Sequence, residues 1–372
     1  MNMDNVKFCC LDKNIYNKKT KTKYNSKYNT VSRSKNTKKI SKASKSNNYG
    51  CAPINNKSND TNIKLNKKLA IFTLIFGGDN YVPGALLLGS SIKKTNPRKA
   101  NMITLGCMVA KDVSKEARVL LEKVFDVVKE VEYIEINPNL INHSNEATRK
   151  VYAKTFTKLR CFEMTEYDKI LFMDADTLVL KDDVFELFKL QTPACPFMGG
   201  EQWNRYFKTP KLFKRFQDEF CNNMHGNLIP YNSRVNEKTT SGLNIETSVM
   251  VLTPDLKLAK RTMDYLEYIK KKNIKVRTDT ELVSLMFKDK IYAIDPRFFG
   301  RWVNPEKHPE LVVLDLYGNE GKPWDIKRID GLVSYVDVNY WWKLYCKIYK
   351  SMYKKYKNDM LDTLYEKIQE VV

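Results

Sequence analysis

The chain has 372 residues, 42% of them hydrophobic, with 64 Lys+Arg against 43 Asp+Glu and a formal net charge of +21. The apolar share excludes a wholly disordered or fibrous protein and allows one large α/β domain or two smaller ones. Residues 1–68 hold 17 Lys+Arg and only 3 Asp+Glu, so the body is weakly basic, which argues against a nucleic-acid-binding core.

Residues 1–67 are rich in Lys, Asn, Ser and Thr and lack apolar periodicity. They read as a disordered, basic, low-complexity tail, because so little apolar surface cannot offset the entropy of ordering. The functional alternative is an electrostatic tether to RNA, DNA or anionic lipid. The opening MNMDNVKFCC lacks the long apolar core and small-residue cleavage site of a signal peptide, so none is expected, and no stretch reaches the ~18–20 apolar residues of a membrane span. A cytoplasmic protein is expected. The eight cysteines include no C-x-x-C pair and there are three histidines, so reduced thiols are expected rather than a zinc site.

Order is expected from residue 68, and a globular domain over 68–338. LAIFTLIF (69–76) is a continuous apolar run, the pattern of a strand buried on both faces of a parallel sheet. GGDN (77–80) is turn-prone, and residues 81–94 have helical spacing with a basic last turn. A second strand fits 102–109, then a helix capped by Asp112 or Ser114, then a third strand over 127–136. This alternation predicts a single doubly wound α/β domain with a mixed central sheet. A helix is expected at about 156–166, and the strand KILFM (169–173) runs into DADTLVLKD (174–182). Residues 200–245 read as a long polar and aromatic excursion in which Trp203, Arg205, Tyr206 and Lys208 could form an acceptor lid or wall. Strand-like 247–252, helices over 255–272 and 279–287, and an apolar run at 310–318 follow. Residues 339–372 form a basic, aromatic, amphipathic C-terminal helix in this reading. Trp341, Tyr345, Tyr349, Met352, Tyr356, Met360, Leu364 and Ile368 recur at helical steps, with six lysines and no acid over 343–357. The stripe either packs on the core or lies on an acidic membrane surface.

The D-x-D after the buried strand is the chemically informative stretch. In an extended segment, Asp174 and Asp176 would point to the same side at the strand's carboxyl end, where open α/β sheets bind ligands. Two like charges there call for a counter-charge. A hard divalent cation, Mn²⁺ or Mg²⁺, suits carboxylate oxygens and could bridge a nucleotide diphosphate.

Several blocks together resemble glycosyltransferase family 8, the glycogenin-like retaining transferases. They are TLIFGGDNYVPGALLLGSSIKKT (73–95), KVFDVVKEV (123–131), TKLRCFEMTEYDKILFMDADTLVL (157–180), TSVMVLTPD (247–255), TDTELVSLMF (278–287) and GNEGKPW (318–324). The resemblance implies a GT-A type nucleotide-sugar-binding fold, Mn²⁺ held by the D-x-D, and a UDP-hexose donor: UDP-glucose first, UDP-galactose or UDP-GlcNAc next. It implies that Leu74, Gly77, Gly78 and Tyr81 hold uridine, Tyr81 by stacking, and that Arg149 lies near donor phosphate and sugar. Asp174, Ala175 and Asp176 match the metal- and ribose-contacting motif. Asp279 matches an acid beside the reacting sugar, and Gly318 or Gly321, Lys322 and Trp324 match a phosphate loop in which Lys322 neutralises the departing diphosphate.

Three departures stand out. Where the family has a metal-binding His before the phosphate loop, this chain has Asp315 and Leu316; either Asp315 is the third ligand or that ligand is lost. Glu246-Thr247-Ser248 replaces Asn-Ser-Gly or Asn-Ala-Gly, so Glu246 stands for an amide that touches the sugar. Residues 297–313 contain no tyrosine, so self-priming of the glycogenin kind is not expected and a separate acceptor is. The expected function is a metal-dependent retaining hexosyltransferase acting on an unidentified glycan, protein or lipid. The alternatives are a catalytically impaired UDP-sugar-binding scaffold and a nucleic-acid binder acting through the tail. A homodimer and peripheral membrane contact through the C-terminal helix are further expectations from the resemblance.

Overall fold

A computed structural model of the protein describes residues 67–197, 225–229, 235–236, 242–243, 245–287, 290–316, 318 and 321–372. The basic tail and the aromatic excursion with Trp203, Arg205, Tyr206 and Lys208 lie outside the described residues.

The apolar run after residue 68 forms β1 (Leu69–Ile75), buried along nearly its whole length. The strands of three or more residues that follow are β2 (Thr104–Val109), β3 (Val127–Glu130), β4 (Lys169–Met173), β5 (Thr177–Val179), β6 (Ala194–Pro196), β7 (Val249–Leu252), β8 (Tyr292–Ile294) and β9 (Val313–Asp315). Among the described residues, seven of them form one sheet in the order β8-β6-β7-β4-β1-β2-β3. β1 runs parallel to β2 and to β4, with Ile71 level with Leu105 on one side and Leu171 on the other. β7 runs antiparallel to β4, pairing Val249 with Met173. The sheet is therefore mixed, as expected. Its order reverses between β1 and β4, and an open α/β sheet has its crevice at such a switch point. The loops after β1 and β4 are the glycine turn and the D-x-D.

Helices cover the sheet: α1 (Val82–Thr95), α2 (Lys115–Leu121), α3 (Glu146–Tyr152), α4 (Leu256–Lys272) and α5 (Asp279–Phe287). Ser114, rather than Asp112, caps α2 by accepting from the Ala117 N–H. The helix expected near 156–166 is a 3₁₀ segment, Thr155–Glu163. At Gly84 of α1, an added Cβ would lie 2.6 Å from the Ala175 carbonyl oxygen and 2.5 Å from Trp324. Only a glycine lets α1 approach the D-x-D turn this closely.

The C-terminal segment is divided rather than one continuous helix. α6 (Val336–Ile348) passes through a π turn and a 3₁₀ turn, the chain reverses at Lys357 (φ 49°), and Asn358 caps α7 (Asp359–Val371). Its aromatic stripe packs on the core: Trp341, Trp342, Tyr345, Tyr353, Leu364 and Ile368 are all buried, and the lysines face outward. Rings run in unbroken contact from this segment into the body, from Tyr345 to Trp341, Trp324 and Tyr81. No helix among the described residues is long and apolar enough to cross a membrane.

Trp342 ties α6 to the loop beneath it, its Nε1–H donating to the Pro323 carbonyl at 2.8 Å. Trp342→Phe keeps most of the bulk and strands that buried carbonyl. A loss of about 1–3 kcal/mol is expected, read as a lower urea midpoint. An unchanged midpoint would mean the bond contributes nothing to stability.

Candidate active site

The site forms where β1, β4 and β9 end and β5 begins. After β1 the chain turns through Gly77 (φ 74°) and Gly78 (φ 90°), a left-handed pair that favours glycine. A Cβ at either position would meet nothing within 4 Å, so the turn borders open space. The Gly77 N–H is bonded by the Tyr133 hydroxyl at 3.1 Å and by Asp112. Leu74 is buried in β1 below this turn. Tyr81, expected to stack on a base, packs edge-to-face on Trp324 at 5.4 Å. Burial pushes its hydroxyl up to about 12, with the Lys322 charge pulling the other way.

The D-x-D is not extended. β4 ends at Met173, and residues 174–177 make a turn closed by the Thr177 N–H donating to the Asp174 carbonyl at 3.0 Å. The period-two argument for the two acids therefore does not apply. Asp174 and Asp176 still feel each other's charge, but each meets a different lysine. Lys158 Nζ lies 2.9 Å from Asp174 Oδ1. Lys322 Nζ lies 2.6 Å from Asp176 Oδ2 and donates to the Leu316 carbonyl. Ala175, between the acids, is buried. Asp174 keeps 32% of its side chain open to solvent. Crowding by protein atoms nevertheless pushes it up to about 7; Lys158 opposes this, and Asp176 and Asp279 add to it.

Lys158 also bridges to Asp279, 3.3 Å away. Burial disfavours its ammonium, but the Asp174 and Asp279 carboxylates outweigh that and hold its pKa above the ordinary lysine value. Asp279, at the start of α5, is itself buried; its Oδ2 also accepts from the Thr247 hydroxyl at 2.5 Å. It thus reaches the site through its partners.

Asp315 stands on β9 opposite Thr177, beside the second acid of the motif. It is 2% exposed, and its Oδ2 is held by Arg301 Nε and Nη2, both at 2.9 Å, and by the Ser248 hydroxyl. Burial pushes it up to about 6 against the pull of Arg301. Arg301 also reaches Glu246 at 3.4 Å. Gly318 and Gly321, expected in a phosphate loop, lie close together; a Cβ on Gly318 would come within 3.6 Å of the Gly321 carbonyl. Arg149 is used locally, donating to the carbonyls of His143 and Ser144.

Sequence reasoning missed two cations. Lys158 was visible only as one lysine among many, and its partners come from the turn after β4 and from α5. Arg301 lies fourteen residues from Asp315 on a separate segment.

Five carboxylates (Asp174, Asp176, Glu246, Asp279 and Asp315) meet three cationic side chains, Lys158, Arg301 and Lys322. Two formal negative charges remain over, and every donor is an oxygen. Oxygen is the donor type a hard cation takes, but these acids are spread over three separate ion pairs and not gathered around one point. Asp315 is not assembled with the other two as a ready third ligand. Among the described residues, no group of three His, Cys, Asp or Glu side chains could hold a metal ion.

The sequence profile of glycosyl transferase family 8 matches residues 73–325, which takes in the glycine turn, the D-x-D and Gly321-Lys322-Pro323-Trp324. The chain belongs to glycosyl transferase family 8. An uncharacterized protein of Acanthamoeba polyphaga mimivirus is 35% identical over 125 residues, which are 34% of this chain and 41% of that protein. Glycogenin-1 of Mus musculus is 36% identical over 127 residues, 34% of this chain and 36% of the glycogenin. These matches therefore span about two fifths or less of either relative. The galactosyltransferase LgtC, solved with donor and acceptor sugar analogs, is 15% identical, with 74% of this chain and 94% of that one covered at a TM-score of 0.44.

Proposed function

We propose that this family 8 chain transfers a hexose from a UDP-sugar to a separate acceptor hydroxyl with retention of configuration. The observation that carries the reading is the meeting of Lys322 with Asp176, and of Lys158 with Asp174, at the sheet's switch point beside an open glycine turn. The turn at Gly77 and Gly78 would admit the nucleoside. Asp174 and Asp176 would hold the cation, Mn²⁺ or Mg²⁺, which when bound supplies Lewis-acid stabilisation to a diphosphate leaving group. Lys322, fixed by two hydrogen bonds, offers a permanent positive charge to that diphosphate. The bond from the sugar's anomeric carbon to the diphosphate breaks, and a bond from that carbon to the acceptor oxygen forms on the same face. The acceptor's proton passes to the departing phosphate oxygen. Glu246, on the solvent side of Arg301, would accept from the sugar's hydroxyls. Asp279 acts on the sugar's charge through Lys158 and Thr247 rather than by contact.

A panel of UDP-sugars, assayed for UDP release with Mn²⁺ supplied and again after chelation, tests this. One donor is expected to turn over, and Asp174→Asn with Asp176→Asn is expected to stop it. A second reading is favoured by the pairing of every candidate ligand with a lysine or arginine: a scaffold that binds UDP-sugar without transferring it. Tight calorimetric binding of UDP with no turnover across the panel would select the scaffold. No turnover and no binding would end both readings.

A further inference from the structure

Lys322 is held at its tip by Asp176 at 2.6 Å and by the Leu316 carbonyl at 2.8 Å. Its backbone lies in a turn that is entered through Gly321, at φ 139°, and closed by the Asp325 N–H donating to the Lys322 carbonyl at 2.8 Å. Those bonds shape the turn but do not fix it against the rest of the fold. The fixing contacts come from α6. Pro323 is buried, and its carbonyl accepts from Trp342 Nε1 at 2.8 Å, nineteen residues further along the chain. Trp324 lies in ring contact with Tyr81 and with Trp341, 5.4 Å from each. Ring contacts are broad, whereas an indole N–H bond sets a distance and a direction. Trp342 is therefore the directional restraint on the peptide next to Lys322.

The segment that carries Trp342 is itself anchored to the elements that carry the D-x-D. Tyr353, in the π turn after α6, shares a buried hydrogen bond of 2.7 Å with the Ser90 hydroxyl of α1. The same helix packs its Gly84 against the Ala175 carbonyl between the two acids, and its Ser91 hydroxyl accepts from the Val179 N–H of β5 at 3.1 Å. Asp176 and Lys322 are far apart in sequence, and α1 and α6 are the common frame that sets one against the other.

We propose that Trp342 is a positioning residue for the transfer, its indole N–H fixing the Lys322 peptide so that the ammonium stays where charge develops on the diphosphate. The inference rests on the transferase reading and gives the C-terminal segment a part in it. Trp342 is fully buried and touches no substrate, so its whole effect on the reaction passes through Lys322. A displacement of about 1 Å in a group that faces the reacting atoms costs up to about 100-fold in rate. Losing one bond while a ring still fills the space is expected to cost about tenfold.

The test uses the full chain, Mn²⁺ and the UDP-sugar that it turns over, well below the unfolding transition. Trp342→Phe is expected to lower kcat about tenfold and to leave the donor KM within about twofold. In the Lys322→Met background the same substitution is expected to change kcat by less than about twofold, because the group through which it acts is gone. Tyr345→Phe is the control for stability. It keeps its ring and loses a buried bond from the same segment, to the Leu361 carbonyl of α7 at 3.0 Å, away from Lys322. Its urea midpoint is expected to fall as that of Trp342→Phe does, with kcat unchanged. An equal kcat loss in Tyr345→Phe, the same tenfold loss with and without Lys322, or full activity in Trp342→Phe would overturn the proposal while leaving the transferase reading intact. If the parent turns over no donor, the transferase reading fails, and calorimetry with UDP and Mn²⁺ decides the inference. Weaker UDP binding in Trp342→Phe, with no further weakening in the Lys322→Met background, would support it. Equal weakening in both backgrounds, or no UDP binding by the parent, would overturn it.

Discussion

Lys158→Met is expected to destabilise the fold by about 3–5 kcal/mol, the cost of leaving buried charge unpaired. The lysine is buried with its Nζ between Asp174 and Asp279. Without it, two carboxylates face each other across a space shaped for an ammonium, and Asp279 has almost no access to water. Met matches the length of the stem, so the loss reports charge rather than volume. Denaturant midpoints measure it. The pairing also predicts coupling: Asp279→Asn in the Lys158→Met background should cost less than Asp279→Asn alone, because the amide removes one of the stranded charges. Equal costs in both backgrounds, or a Lys158→Met midpoint within about 0.5 kcal/mol of the parent, would mean that other groups already neutralise the acids.

Lys322→Met is expected to lower kcat/KM for the UDP-sugar about 100- to 1000-fold, with most of the loss in kcat. The reason is geometric. Its ammonium is fixed by Asp176 at 2.6 Å and by the Leu316 carbonyl at 2.8 Å, so it need not reorganise as negative charge develops on a leaving diphosphate. Lys322→Arg keeps the charge but not the compact point geometry, and should recover only part of the rate. Asp176→Asn should fall by a similar factor, and the double variant by much less than the product, since the two side chains act as one unit. Steady-state UDP release reads all four proteins. A Lys322→Met enzyme within threefold of the parent would remove the lysine from the chemistry.

Much of the architecture was legible because it rests on local pattern. The apolar run 69–76 could only be a doubly buried strand, and β1 is one. Helix α5 begins at Asp279 and ends at Phe287, where the periodicity placed it. The family's blocks were readable too, since each is a short contiguous stretch. Where the reading failed, the determinant was not local. The D-x-D is a turn because the chain must leave β4 and pair through β5 with β9, a strand from far along the sequence. The third helix of the expected series is a 3₁₀ segment packed under β1 and α4. The C-terminal stripe gave both faces of a helix correctly, but not the reversal at Lys357 that brings Tyr349 onto Tyr365.

The sequence by itself determined the buried strands β1, β2 and β4, the helices α1, α4 and α5, and which acids stand at a strand's carboxyl end, because hydrophobic period and residue order are properties of neighbours along the chain. Only the tertiary structure decided which cation meets which carboxylate: Lys158 with Asp174 and Asp279, Lys322 with Asp176, and Arg301 with Asp315. Lysines and arginines carry no mark of their future partner. A buried charge is tolerated only where the fold delivers an opposite one, and that delivery depends on sheet order and loop closure over long separations.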